Sequence, residues 1–229
     1  MKRASGVVAD GPADSRRWLD RHTVELLRPE RPRSPALRLL DCDGQRMVAK
    51  TFLNSPTWYR ETVGRFMLAR EQAILASLQT AHGVPRLFGG AHQGLLLMEH
   101  IQGQPIEQLQ PGQLPFEALE QARRLLEQVH AAGVAHCDLG HDFTGDFGRE
   151  TNLMWDGKRL VLLDFAGSMR AWPTPAGRWF HEAMKNHDRL LLTKLVCRFF
   201  PEVERHPFLD LPTTFPAAHW KLWRLLGKI

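Results

Sequence analysis

Two charged residues fall where the hydrophobic pattern leaves little room for charge. Residues 46–52 alternate as a strand, which puts Val48, Lys50 and Phe52 on one face. Residues 61–80 repeat with the period of a helix. Val63, Met67, Ile74 and Leu78 follow one another at spacings of 4, 7 and 4, and the slot midway along that stripe is Glu71. Taken singly, a strand lysine can snorkel its ammonium into water, and a glutamate at a helix edge can keep its head wet. Taken together they set a constraint, because an unpaired charge on a buried face is heavily penalised. A strand lysine and a helix glutamate 21 positions later can satisfy each other. A salt bridge across a small sheet-and-helix lobe is therefore expected.

The surrounding order is strands first and helices later. Residues 1–17 are small, polar and charged, with Gly6, Gly11 and Pro12, and the stretch 1–20 reads as a flexible leader. Strands are expected at 23–27, 36–40 and 46–52. Pro29, Pro32 and Pro35 enforce an irregular connection between the first two, and Gly44 centres the turn between the next two. Gly83 and Pro85 close the 61–80 helix. Further strands are expected at 86–89 and 95–100, and Gly103 with Pro105 marks a break. Residues 116–132 read as a second helix with Phe116, Leu119, Leu126 and Val129 on one side and Gly133 as its stop signal. A Gly- and Asp-rich loop spans 140–148, and a hairpin turns at Asp156-Gly157 between 152–155 and 159–163. A long helix covers 180–200, and a short basic, Trp-bearing helix covers 216–229. This order predicts an α+β protein with a sheet-rich lobe over 21–102 and a mainly helical lobe over 103–229.

Composition removes several classes. A length of 229 residues allows one compact domain or two small lobes sharing a cleft. With 43% apolar and 24% charged residues the chain is not largely disordered. The longest apolar runs, such as residues 160–163, are too short to cross a bilayer, and the N-terminus lacks the apolar region of a secretory signal. Cys42, Cys137 and Cys197 are far apart and form no pairing motif, which reads as a reducing cytosol without disulfides or a zinc site. A net charge of +5 suits a polyanionic partner such as a nucleotide or a membrane surface. Nucleic acid is not expected, because the basic residues are dispersed and no reader motif is present.

Three more polar residues have chemistry in their placement. Asp138 follows His136 after a helix, Asn152 opens a strand, and Asp164 ends the strand that carries Leu160-Val161-Leu162-Leu163. Each alone also reads as an ordinary turn or strand-end residue. Converging carboxylate and amide oxygens are hard ligands that suit Mg²⁺, with phosphate and water filling the rest of the shell.

The ordered set Val48-Ala49-Lys50, Glu71, His136-Cys137-Asp138-Leu139, Asn152 and Asp164-Phe165-Ala166 resembles the protein-kinase-like fold over residues 23–195. The resemblance implies a bilobal architecture, with a small antiparallel-sheet N-lobe and a reduced, mainly helical C-lobe, and ATP and Mg²⁺ as cofactors. It implies that Lys50 holds the nucleotide phosphates and pairs with Glu71, that Asp138 is the catalytic base, and that Asn152 and Asp164 hold the metal. It also implies a hinge from Glu99 to Ile101 whose backbone reads adenine, and a supporting role for Asp188 beneath the catalytic loop. The phrasing Gly133-Val134-Ala135-His136-Cys137-Asp138-Leu139 and the small C-lobe resemble the bacterial lipopolysaccharide (Kdo/heptose) and RIO-type kinase group. The implied activity is transfer of the γ-phosphoryl group of ATP to a hydroxyl of a lipopolysaccharide-type glycolipid sugar or of a protein Ser/Thr, in a bacterial cytoplasm. The alternative is a non-catalytic kinase-like scaffold.

The departures from the pattern are specific. Thirteen residues separate Asp138 from Asn152, where kinases have about four. The insertion carries Asp142 and Asp146 and so offers a rival register. Asp138 is preferred because the helix–Gly–apolar–His context precedes it directly. There is no G-x-G-x-x-G loop. Its place is taken by Pro29-Glu30-Arg31-Pro32-Arg33-Ser34-Pro35, where arginines, Arg33 among them, are expected to hold phosphates in place of bare amides. The catalytic-loop arginine is Cys137, and no Ala-Pro-Glu motif follows Asp164, so the usual peptide platform is missing. In the tail, Trp220, Trp223 and Leu226 share a helical face, with Lys221, Arg224 and Lys228 elsewhere. That is the composition of an interfacial helix and implies reversible peripheral association with the inner membrane. The competing reading packs the same face onto the large lobe.

Overall fold

The alternating segments of the first hundred residues form one sheet. β1 (Thr23–Arg28), β2 (Ala36–Cys42), β3 (Gln45–Thr51), β4 (Leu87–Gly89) and β5 (Leu95–Glu99) lie in the order β1-β2-β3-β5-β4, and every neighbouring pair is antiparallel. The computed structural model describes residues 12–31, 34–89, 94–139 and 151–200. Arg33, Asp142, Asp146 and the tail 216–229 lie outside them. The β2–β3 hairpin is tight because Asp43 and Gly44 both take left-handed backbone angles, φ 54° and 82°. The Asp41 carboxylate accepts the Gly44 amide at 2.8 Å.

Helix α1 (Pro12–His22) leads into β1, within the stretch read as a flexible leader. It is ordered because Leu19 is 1% exposed and packs with Leu40, Met47, Ala49, Leu53, Leu95 and Leu97. Leu19 and the half-buried Trp18 beside it are adjacent and give no helical period, so the helix leaves too faint a signal to read from sequence. The helix expected at 61–80 is a continuous run: α2 (Thr57–Tyr59), a π-helical turn (Arg60–Gly64) and α3 (Arg65–Ser77). Its buried stripe is Gly64, Leu68, Glu71, Ile74 and Leu75. Val63 does not belong to it and is 41% exposed. Val63 is eight residues before Glu71, a step that ends about 80° off the helix face, whereas the seven-residue step to Gly64 stays on it. At Gly64 a Cβ would meet the Phe52 ring at 3.0 Å, so the absent side chain lets the helix approach β3 closely.

The second unit is built on two helices and two small ladders. α4 (Glu117–Ala131) buries Leu119, Leu126 and Val129 as expected, and Gly133 ends it with φ 73°. Phe116 lies before the helix, 40% exposed, with its ring edge-on to Phe200 at 5.4 Å. β7 (Val134–Ala135) pairs with β10 (Met169–Arg170), while β6 (Gln104–Pro105), β8 (Leu153–Trp155) and β9 (Leu160–Leu162) form an antiparallel trio. α5 (Pro175–Phe199) starts earlier than the hydrophobic pattern indicates, because Thr174 caps it by accepting the Gly177 amide at 3.1 Å. Among the described residues no helix is long and apolar enough to cross a membrane.

The chain divides into Met1–Gln79 with Pro85–Ile101, and Thr80–Val84 with Gln102–Ile229. The segment Thr80–Val84, read with the first lobe from sequence, is thus part of the second unit. Gly83 explains this: its carbonyl accepts the Leu162 amide at 2.8 Å, its φ is 101°, and a Cβ there would sit 2.5 Å from the Leu160 carbonyl oxygen. Gly83→Ala is expected to destabilise the protein by more than about 1 kcal/mol, seen as a lower urea midpoint. An unchanged midpoint would show that this close approach contributes nothing.

Candidate functional site

The sheet unit brings Lys50 and Glu71 together. Lys50 Nζ lies 2.8 Å from Glu71 Oε2 and 2.9 Å from Oε1, with the two side chains 3% and 2% exposed. β3 directs Lys50 to the side on which α3 packs, and the seven-residue step from Gly64 puts Glu71 over it. A buried ion pair adds little net stability, since apolar side chains of similar volume would serve the fold as well. The pair is more economically explained as a fixed cation than as a fold anchor.

Beside it, the proline-rich connection is closed by main-chain bonds between Arg31 and Ser34, at 3.1 and 2.9 Å. Glu30 ties this loop down: its carboxylate accepts the Asn54 amide at 3.1 Å and the Ser55 hydroxyl. Glu30 has no signature in the sequence, since a glutamate between prolines carries no pattern. At the end of β5, Glu99 donates its amide to the Arg86 carbonyl at 2.8 Å and accepts the Arg86 amide on its carboxylate at 3.0 Å. Ile101, two residues on, is buried.

In the second unit the residues after β7 are organised by Asp188. This fully buried carboxylate accepts the His136 amide at 2.7 Å, the Cys137 amide at 2.9 Å and His130 Nε2 at 3.0 Å. Burial pushes the Asp188 carboxyl up, but the His130 hydrogen bond, the fields of His136 and His130 and the His136 amide outweigh it and hold the group below the usual carboxylate range. The two consecutive amides fix Cys137 at φ 67°, a left-handed conformation costly for a non-glycine residue. His136 in turn pairs Nε2 with the Leu163 carbonyl at 2.9 Å, and its ring lies 4.7 Å from that of buried Phe165.

Those contacts cross-tie the segments that carry Asp138, Asn152 and Asp164. Asn152 donates its side-chain amide to the Asp138 carbonyl at 2.7 Å, and a Cβ at Gly167 would lie 3.4 Å from that of Asp138. Asp164 takes φ 55° and ψ 74° and accepts the Ala166 amide at 3.3 Å. With its nitrogen engaged, Asn152 keeps its amide oxygen as an acceptor. The Asp164 carboxylate and the Asn152 oxygen are hard donors that fit Mg²⁺. Among the described residues no group of three or more His, Cys, Asp or Glu side chains could hold a metal unaided, so phosphate oxygens and water would complete the shell.

No protein-family model matches the chain, and no curated protein matches it. Solved structures do. The Rio2 kinase from Chaetomium thermophilum is similar with a TM-score of 0.58 at 15% identity, covering 92% of this chain and 71% of that one. The Rio2 kinase–ADP/Mg²⁺–phosphoaspartate complex from the same organism is similar with a TM-score of 0.55 at 13% identity, covering 82% of this chain and 61% of that one. The chain has the protein-kinase-like fold. Of the two kinase groups that its sequence resembles, the RIO-type one is represented in these matches. Within the kinase-like fold the proline-rich connection pinned by Glu30 is a local departure.

Asp188→Ala would leave three buried donors without an acceptor and is expected to cost about 3–5 kcal/mol, read from denaturant unfolding. Wild-type stability in that variant would refute the bracing role. The second unit should also weaken in mild acid. Burial, helped by Lys194 and opposed by Asp188 and Asp138, lowers the His187 pKa, so the folded state keeps this ring neutral while the unfolded chain protonates it below about 6.5. The stability it supports is full above that pH and falls as pH drops through it. His187→Leu should flatten the slope of stability against pH between about 7 and 5, and an unaltered slope would assign the effect elsewhere.

Proposed function

We propose that the chain is an ATP- and Mg²⁺-dependent kinase that transfers the γ-phosphoryl group to a hydroxyl, either of a lipopolysaccharide-type glycolipid sugar or of a protein Ser/Thr. The observation that carries this reading is the buried Lys50–Glu71 pair, a cation fixed at 2.8 Å that folding alone does not call for. Lys50, positioned by Glu71, binds the nucleotide phosphates. The backbone of Glu99 and Ile101 reads the adenine edge, and Arg33 joins the phosphate contacts from the proline-rich loop. Asp138 accepts the proton of the attacking hydroxyl, on a loop that Asp188 braces. Asn152 and Asp164 hold Mg²⁺, whose charge offsets that developing on the phosphates. ADP and Mg²⁺ are both named in one of the similar Rio2 kinase structures, which supports the same cofactors here. The basic tail 216–229 supports a cytoplasmic position, peripheral at the inner membrane of a bacterium.

The test has two stages. ATP or ADP should raise the melting temperature of the purified chain in a Mg²⁺-dependent way, and Asp164→Ala should abolish that dependence. With γ-labelled ATP, label should then pass to lipopolysaccharide extract or to generic protein substrates. Asp138→Asn should cut the transfer rate by about 10²–10⁴-fold while nucleotide binding survives. Full activity in Asp138→Asn with loss in Asp142→Asn would move the base into the insertion. A chain that binds no nucleotide is the non-catalytic scaffold, a reading favoured by the replacement of the glycine loop with the hairpin pinned by Glu30.

A further inference from the structure

The sheet unit contains a cavity that none of Lys50, Glu71 or Ala49 lines. Its volume is about 500 Å³, within the range of about 300–1,000 Å³ typical of small-molecule sites. Glu30 and Arg31 of the β1–β2 connection form one wall, Asn54 and Ser55 after β3 a second, and Trp58 and Tyr59 of α2 a third. The walls are held in place. Glu30 is bonded to the Asn54 amide and the Ser55 hydroxyl, and the Tyr59 ring meets Trp58 and the buried Phe52 edge-on at 5.6 Å each. Trp58 itself is 68% exposed, so an indole with a large apolar face is left in water at the rim of a mostly apolar cavity that carries a few polar groups.

The chemistry of the lining narrows the ligand. One carboxylate and one guanidinium give no net charge, and a phosphate placed there would face Glu30. A neutral molecule with one apolar face and a rim of hydroxyls satisfies every wall at once. Its C–H face covers the indole, and its hydroxyls donate to Glu30, accept from Arg31 and do both with the Asn54 side-chain carboxamide. We propose that this cavity is a carbohydrate subsite that takes a neutral pyranose stacked on Trp58. Sugar binding here would favour the sugar-hydroxyl acceptor in the phosphotransferase reading above, on which that assignment rests. The binding itself does not depend on that reading.

Saturation-transfer NMR on the full chain with the methyl glycosides of glucose, galactose and mannose tests it. At least one should bind, and Trp58→Ala should weaken that binding about tenfold or more. Because Trp58 is exposed, the variant should keep the wild-type melting temperature. Asn54→Leu, on a different wall, should weaken the same glycoside and guards against a misfolded first variant. No binding by any of the three, binding indifferent to both substitutions, or displacement of the glycoside by inorganic triphosphate would overturn the subsite. Stabilisation of the wild type by ADP and Mg²⁺ is measured alongside. If that fails while the glycoside binds, the phosphotransferase reading falls and the subsite stands. If it succeeds while no glycoside binds, the reverse holds.

Discussion

A lysine ammonium and a glutamate carboxylate removed together from water set the terms for the first unit. Neither tolerates burial alone, so β3 and α3 must meet in one register. Gly64 makes the meeting close, because only a residue without a side chain lets the helix rest against Phe52. The sheet order β1-β2-β3-β5-β4 sets β3 between β2 and β5, which pairs its backbone on both sides, and Lys50 is buried. The outcome is a cation whose charge is compensated by Glu71 and whose position is fixed.

The second unit rests on the opposite device, a lone buried carboxylate with several donors turned toward it. Asp188 is charged in the core because two backbone amides and an imidazole replace its water. Its return for the fold is local geometry. It holds Cys137 in a left-handed conformation of a kind that costs about 1–3 kcal/mol and persists only where surrounding bonds over-determine it. Asp164 carries a second such angle, and buried Phe165 packs against His136 beside it. Strain at these two residues flanks the segments of Asp138 and Asn152, which is where backbone strain concentrates when side chains must be aimed.

The loop between β1 and β2 is held without glycines. A glycine-rich loop approaches a ligand through bare backbone. Here prolines stiffen the connection, a two-residue bridge closes it, and Glu30 fastens it to the turn after β3. The same fastening shapes the neighbouring cavity, so one side chain sets the loop and one wall of a pocket.

Residue periodicity determined much of this architecture. The five strands, α4 and the hairpin at Asp156-Gly157 are read from alternation, from the helical repeat and from turn residues, because each signal is local. The pairing of Lys50 with Glu71 was legible for a related reason: two charges on apolar faces have few ways to be satisfied. Other features had no local signal. Helix α1 depends on Leu19 reaching a core made by β2, β3 and β5. The seat of Thr80–Val84 on β9 depends on Leu160, far along the chain. Glu30 finds its partners 24 and 25 residues away. In each case the deciding partner is remote in sequence, so only the tertiary structure could bring the groups within hydrogen-bonding or packing range.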